Sequence, residues 1–304
     1  MDAELSFLDA AVYCTGMATT VDDAFTQFCS RLTPSTTETT AAASHRVSLE
    51  QVLRSNFGMT NFFRSGSFGY GTSVSGYSDV DYFAVVPPDR LHQNSADSLR
   101  AFETVLQTRF PNTGVFVDAP AVVTPFGTSR SERHEIIPAH AIQSAIGYKT
   151  YGIPDRAGGW LISSPEAYAA YVDRIDQRLG GKVKNLIRLV KAWKYYTNTP
   201  MRSFYLEMRV AEFAATQSSI VYRFDVAGAL KYLSDIGLAN MADPCGLSGT
   251  IYACFTSEMP TALANLRTAA SSAAAAQTAQ LANQTATAFQ HWDRVYANQF
   301  PGYY

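Results

Sequence analysis

The segment Asp79-Val80-Asp81-Tyr82-Phe83-Ala84-Val85-Val86 constrains this chain more than any other. Its apolar second half, rich in aromatic and β-branched residues, predicts a buried strand. Side chains alternate across a strand, so Asp79 and Asp81 share one face while Val80 turns into the core. Two carboxylates about 6 Å apart repel by roughly 3 kcal/mol at an effective dielectric near 20. A strand mouth tolerates that only if something offsets it. A divalent cation does so, and hard oxygen ligands select Mg²⁺ or Mn²⁺. Two solvated acids at a loop end are the plain alternative, and D-x-D alone does not decide.

The residues ahead of the strand add to the argument. Gly66-Ser67 forms a small-residue turn that opens a Gly/Ser/Tyr-rich loop running to Asp79. Gly66 permits close backbone approach, and the Ser67 amide and hydroxyl are donors suited to phosphate oxygens. Phosphate donors before a cation-binding strand suit phosphoryl transfer, where catalysis is mainly positioning and charge neutralisation. A two-metal arrangement wants a third carboxylate from a neighbouring strand. Glu135 supplies one at the start of the apolar run Glu135-Ile136-Ile137, closed by Pro138, and Asp118 competes for the role.

Composition removes several classes of function. A net charge of −2 gives no global basic field for a nucleic-acid backbone. Cys14, Cys29, Cys245 and Cys254 match no zinc spacing and read as reduced thiols. The first residues carry acids and no basic region, and no run approaches the roughly 18 apolar residues of a membrane helix. The expectation is a soluble cytoplasmic protein without a membrane partner. The five histidines are scattered. His134 and His140 read as hydrogen-bonded structural residues, and none is given a chemical role.

Along the chain, residues 1–30 mix acids and apolar residues at helical spacing, as in "VDDAFTQFCSRL", 33–44 read as a loop or weak helix entry, and 44–58 predict an amphipathic helix ending near Gly58. A helix over 97–110 stops at Pro111. Strand-like runs follow over 114–126 and 134–142, separated by a turn. The second half is helical. Ser164-Pro165 starts one helix, 182–196 is a second, 203–215 a third with Ser203 at its N-cap, and the Ala-rich stretch 258–292 a packed terminal helix. On the second of these, Lys184, Arg188 and Lys191 form a basic face that reads as solvated. No internal repeat is present. The chain thus divides into an α/β core over 1–155, with N-terminal helices, and a helical lobe over 156–304.

The pattern G-S, spacer, D-h-D-h and an acid in an h-h-P-A strand resembles the polymerase-β-like nucleotidyltransferase superfamily. The segments "LIRLVKAWKYY" and "RSFYLE", then Asp243-Pro244 with Gly246 and Gly249, and the closing "HWDRVYANQFP", are similar to the bacterial cGAS/DncV-like nucleotidyltransferases. The resemblance runs from about residue 45 to the C-terminus. It implies an α+β fold, a polymerase-β-like core of mixed sheet and helices with a C-terminal helical bundle lobe like that of oligoadenylate synthetase. It further implies synthesis of a cyclic di- or trinucleotide second messenger from NTPs, ATP among them, with release of pyrophosphate, in anti-phage signalling. By the same resemblance, Gly66 and Ser67 hold the donor triphosphate, and Asp79 and Asp81 bind two Mg²⁺ or Mn²⁺ ions. Glu135, where the family often has Asp, binds the ion that activates the attacking hydroxyl. Lys191 and Ser203 reach the triphosphate from the helical lobe, and Phe204, with Tyr205 as the alternative, stacks on the base. An effector protein that binds the product and an activating partner protein are implied as well. Two rivals stand beside this reading. One is nucleotide transfer to tRNA or to a protein hydroxyl. The other is a silent nucleotide sensor, whose mark is a lost carboxylate triad.

Overall fold

The computed structural model describes residues 17–77, 79–127, 132–144 and 147–304, with the side chains of 36–44 left aside. The stretch 1–16, including Cys14, and most of the turn expected after Phe126 lie outside the described residues. In chain order the elements begin with α1 (Val21–Leu32), α2 (Thr36–Phe57), β1 (Asn61–Arg64), α3 (Gly66–Tyr70), β2 (Val80–Val85) and α4 (Ser95–Arg109). The sheet continues through β3 (Phe116–Asp118), β4 (Ala121–Phe126), β5 (Glu132–Ile142), β6 (Thr150–Pro154) and β7 (Trp160–Ser163). Then come α5 (Pro165–Arg178), α6 (Val183–Tyr196), α7 (Ser203–Ala215) and α8 (Tyr222–Asp235). The chain closes with β8 (Met241–Ala242), β9 (Thr250–Ile251), α9 (Met259–Leu281) and α10 (Thr285–Val295).

The main sheet has the order β1-β2-β5-β4-β3, with β6 and β7 continuing from the far end of β5. β2 and β5 are parallel, and every other pair in this sheet is antiparallel. Val80, Tyr82, Ala84 and Val86 face one way, into a core with Leu49, Leu53, Leu99 and Phe102 of α2 and α4. Phe83 and Val85 face the other way, beside Ile137, Tyr151 and Ile153. The period-two alternation expected around Val80 is therefore present.

Several expectations shift. α2 starts at Thr36, so the small polar stretch after Thr33 is helical from there; the helix does stop at Gly58, whose φ of +62° favours glycine. The Gly/Ser loop opens as a short helix, α3, closed by Gly71 in the left-handed conformation. Glu135 lies inside β5 rather than at its start, and Pro138 does not end the strand. Pro138 sits where β5 passes from β4, last paired at Ile136, to β6, first paired at His140, a point at which a missing N–H costs little. β6 and β7 carry the sheet to Ser163, past residue 155. Their Gly-interrupted sequence lacks the alternation by which strands are recognised.

The second core is helical. α1 is capped by Thr20, whose hydroxyl accepts from the Asp23 amide. Its Phe25, Phe28 and Leu32 pack with Trp193 of α6 and Trp292 of α10. Burying each such side chain contributes about 1.5–3 kcal/mol, so this helix is held in the helical lobe although it precedes the sheet in sequence. The Ala-rich terminal stretch forms two helices, not one, broken at Asn283 with φ +58°. Ala262, Ala269, Ala273, Ala276 and Ala279 line the buried side of α9, where small residues let neighbouring helices approach closely.

Candidate active site

β2 and β5 set the geometry. In their parallel register Asp81 stands opposite Glu135, and Val80 opposite His134. The two carboxylates therefore lie on the same sheet face, while His134 turns to the other. Asp79, two residues before Asp81, joins them at the mouth of β2. Gly66 lies against this group, because β1 leads straight into α3 and the Ser65 amide donates to the Asp81 carbonyl at 2.9 Å. Gly66 has φ +55°, and a Cβ there would overlap the Asp81 carboxylate. No other residue fits that position without moving Asp81.

Arg133 is the cation nearest these acids, and motif reading misses it. Its guanidinium donates to Glu135 at 2.9 Å and to Asp118 at 3.0 Å, and lies 3.5 Å from Asp79. A signal exists in the sequence, since Arg133 is two residues from Glu135 and so shares its face. One guanidinium does not neutralise the group. Removal from water, then Glu135, pushes Asp79 up to about 7 against the pull of Arg133 and two lysines. Burial, then Glu135 and Asp79, raises Asp81 well above the usual carboxylate range. An acidic group this crowded takes up either protons or another cation. Hard carboxylate oxygens converging on one face fit Mg²⁺ or Mn²⁺. Asp118, the competitor for third carboxylate, is drawn aside into pairs with Arg133 and Arg156 on the edge strand β3.

Beside Gly66 and Asp81 opens a cavity of about 570 Å³. The sheet supplies Phe83, Ile137 and Ile153, and the helical lobe supplies Tyr168, Arg202 and Phe204. Phe204, half-buried, meets the Tyr168 ring edge to face at 4.9 Å. Tyr205, the alternative ring, also borders this cavity but is buried in the helical core and donates its hydroxyl to the Ala239 carbonyl at 2.8 Å. Asp243 organises the far wall. Burial alone would raise its pKa, but the amides of Ser248 and Cys245 hold it below the usual range, and the Tyr168 hydroxyl donates to it at 2.7 Å. An adjoining cavity of about 400 Å³ carries Arg156, Lys194 and Arg202, with both arginines over the Phe255 ring.

Two residues sit differently from expectation. Ser203 is the first residue of α7, not its N-cap, which is Arg202. Its hydroxyl is held instead by Lys194 and Tyr195, each at 3.1 Å. Lys191 is not presented to the cleft. Its ammonium is buried, paired with Glu207 at 2.5 Å and donating to the Thr72 carbonyl at 3.2 Å. Nor is the Lys184/Arg188/Lys191 face solvated. Arg188 donates to the Gly71 carbonyl at 2.6 Å and the Ser73 carbonyl at 3.1 Å. Together Arg188 and Lys191 clamp the loop that follows the Gly66-Ser67 turn. Helical spacing reveals a basic face but not the carbonyls waiting for it. Lys194, lowered to about 8 by burial and by Lys191, is the lysine that lines the cleft.

The family model of the Second Messenger Oligonucleotide or Dinucleotide Synthetase domain matches residues 19–175, just over half of the chain. A probable cyclic nucleotide synthase of Bacillus cereus (strain VD146) is 26% identical over 121 residues, 38% of this chain. That match spans only 36% of the relative. Among solved structures, CdnC of E. coli MS115-1 with ATP has a TM-score of 0.72 at 15% identity, covering 92% of this chain and 99% of that one. The same CdnC in complex with HORMA-deltaN gives 0.71 at 15% identity, covering 92% and 98%. The apo form of Vibrio cholerae DncV gives 0.72 at 11% identity, covering 92% and 96%. At these identities the structural likeness is one of fold. Since the family model covers most of the sheet and the whole carboxylate face, the chain belongs to the Second Messenger Oligonucleotide or Dinucleotide Synthetase domain family.

Proposed function

We propose that this protein is a metal-dependent nucleotidyltransferase that joins NTPs, with release of pyrophosphate, into a cyclic di- or trinucleotide second messenger. The observation that carries the reading is the convergence of Asp79, Asp81 and Glu135 on one sheet face, against Gly66 and beside a cavity walled by the helical lobe. Asp79, Asp81 and Glu135 would hold two Mg²⁺ or Mn²⁺ ions. Bound there, the ions supply charge neutralisation for the phosphates and ease deprotonation of the attacking ribose hydroxyl. Gly66 brings the backbone against the carboxylates, and Ser67 donates to phosphate oxygens. From the opposite side, Ser203 offers a hydroxyl already oriented by Lys194 and Tyr195, and Phe204 offers a ring to the base. Lys194 takes the phosphate-facing role that the resemblance assigns to Lys191, because its ammonium faces the cleft. The hydroxyl attacks the α-phosphorus and pyrophosphate leaves. The step repeats on the linear product until its own free ribose hydroxyl attacks its 5′ α-phosphorus and closes the ring, one pyrophosphate leaving for each bond formed.

The division of labour follows the two cores, a catalytic sheet domain and a helical lobe that completes the nucleotide cavity. CdnC, seen with HORMA-deltaN, supports a partner protein for this chain too. An effector that binds the product and a place in anti-phage signalling follow from the family reading. No helix of the described residues is long and apolar enough to cross a membrane, and a cytoplasmic setting is proposed on the nucleotide substrates. The test is incubation of the purified chain with radiolabelled NTPs and Mg²⁺ or Mn²⁺. A phosphatase-resistant product whose mass is that of a cyclic oligonucleotide is expected. Label transferred to added RNA or protein instead would overturn the cyclisation and favour the other acceptors.

A further inference from the structure

We propose a separate transition-metal site, selective for Zn²⁺, on the sheet face opposite the carboxylates and formed by His45, Glu132 and His134. His45 comes from α2, and the other two from the first residues of β5. His45 Nδ1 lies 3.0 Å from Glu132 Oε2, His134 Nε2 lies 3.9 Å from the same oxygen, and one donor atom from each residue falls within 4.8 Å of the others.

His134 carries the argument. Its side chain is fully buried, yet neither ring nitrogen has a hydrogen-bond partner among the described residues. A buried imidazole always has polar atoms to satisfy, and leaving both without a partner costs free energy that a fold normally avoids. The expected hydrogen-bonded histidine is therefore not what the structure contains. The ring is also held in place. Phe126 stacks flat on His45 at 4.1 Å and meets His134 edge-on at 5.2 Å, while Tyr82 stacks on His134 at 5.9 Å. These walls fix both imidazoles around the Glu132 carboxylate, which already pairs with His45 Nδ1, and a metal held among the three would satisfy the His134 nitrogen that lies 3.9 Å from that carboxylate.

The chemistry of the donors selects the ion. Two imidazoles and one carboxylate suit Zn²⁺ and leave a position for water, whereas Mg²⁺ prefers oxygen alone. At zinc–ligand bonds of about 2.0–2.2 Å, tetrahedral donors stand roughly 3.4 Å apart, between the two separations to Glu132. Burial, then His45 and Arg64, disfavours positive charge on His134, and Glu132 supplies the compensating carboxylate. A zinc ion here would pin α2 to the start of β5, the strand that carries Arg133 and Glu135 on its other face. Its role is structural and independent of nucleotide chemistry.

The test uses the full chain and its Asp79→Asn/Asp81→Asn variant, dialysed after zinc loading and analysed for metal by mass spectrometry. About one zinc per chain should remain in both, and excess Mg²⁺ should not displace it. Co²⁺ should give the visible bands of a site with nitrogen and oxygen ligands. His45→Gln and Glu132→Gln, at partly exposed positions that leave the core intact, should each weaken Zn²⁺ binding by about a hundredfold or more. They serve in place of His134→Gln, whose buried position ties it to folding. Zinc well below one per chain, or equal retention in wild type and His45→Gln, would overturn the site. So would a Co²⁺ spectrum abolished by the Asp79→Asn/Asp81→Asn change alone.

Discussion

Two groups of charges in this molecule lie close together and differ in every respect that matters. Lys191 and Glu207 are buried, opposite in sign and closed on each other, with Thr72 satisfying what remains through its carbonyl and hydroxyl. Asp79, Asp81 and Glu135 are alike in sign; Arg133 pairs with Asp79 and Glu135 but not with Asp81, which lines a cavity. The first group is complete and holds α6, α7 and the loop after α3 together. The second is left unbalanced by the protein alone, and that imbalance is why the proposed ligand site is placed there. Charge by itself does not identify a site; unmatched charge facing open volume does.

The comparison is broken most directly at the carboxylates. Asp79→Asn with Asp81→Asn should reduce turnover by about a thousandfold or more, the scale of several kcal/mol that metal charge stabilisation supplies. Circular dichroism should show the fold unchanged, because like charges have been removed. Unfolding of that variant would make the pair structural.

The matched pair should respond in the opposite way. Lys191→Met alone leaves Glu207 buried and uncompensated, a loss of about 3–5 kcal/mol in chemical denaturation. Lys191→Met with Glu207→Met should recover most of it. If the double variant is stable but its KM for NTP rises sharply, Lys191 reaches the phosphates during turnover after all.

Between these extremes lies the proposed base contact. Phe204→Ala should raise the KM for NTP about tenfold, within the 1–3 kcal/mol of base–aromatic stacking, with little change in kcat. A smaller effect tests the built-in cation. Arg133→Gln removes the guanidinium that occupies the carboxylates, so Mn²⁺ affinity measured by calorimetry should rise about fivefold, roughly 1 kcal/mol. Weaker binding would show that Arg133 orients Glu135 instead of competing for it.

The smallest effect is in pH. Asp79 in the folded chain titrates near 7, above its ordinary 3.8, so the folded state binds this proton more tightly than the unfolded one. Without metal, this contribution to stability is full below about pH 4 and is lost as pH rises to about 7. His134, lowered to about 3 by burial and by the positive charge of its neighbours, works the other way, losing stability as pH falls below its ordinary 6.5. The melting-temperature difference between wild type and Asp79→Asn/Asp81→Asn cancels the histidine. It should open in favour of the variant through that window and close when Mg²⁺ is added.

Much of the candidate site is legible in the sequence. Asp79, Asp81 and the glycine ahead of them are read from a strand's period of two and from glycine's freedom. Glu135 is read as the acid of the next apolar run. What stays hidden has one physical cause, that partners distant in sequence follow no local period. Arg133 draws no notice because its value depends on Asp118 and Asp79 arriving from other strands. Lys191 reads as part of a solvated face, and by resemblance as a phosphate ligand, because nothing near it in sequence announces Glu207, sixteen residues later on another helix. His134 looks ordinary because its lack of partners exists only once β5 lies beneath α2. By itself the sequence determined the alternation that gathers the carboxylates on one face and the apolar stripes that make two cores. Only the tertiary structure decided which charges are satisfied and which are left open, because satisfaction is a property of neighbours, and neighbours are set by packing.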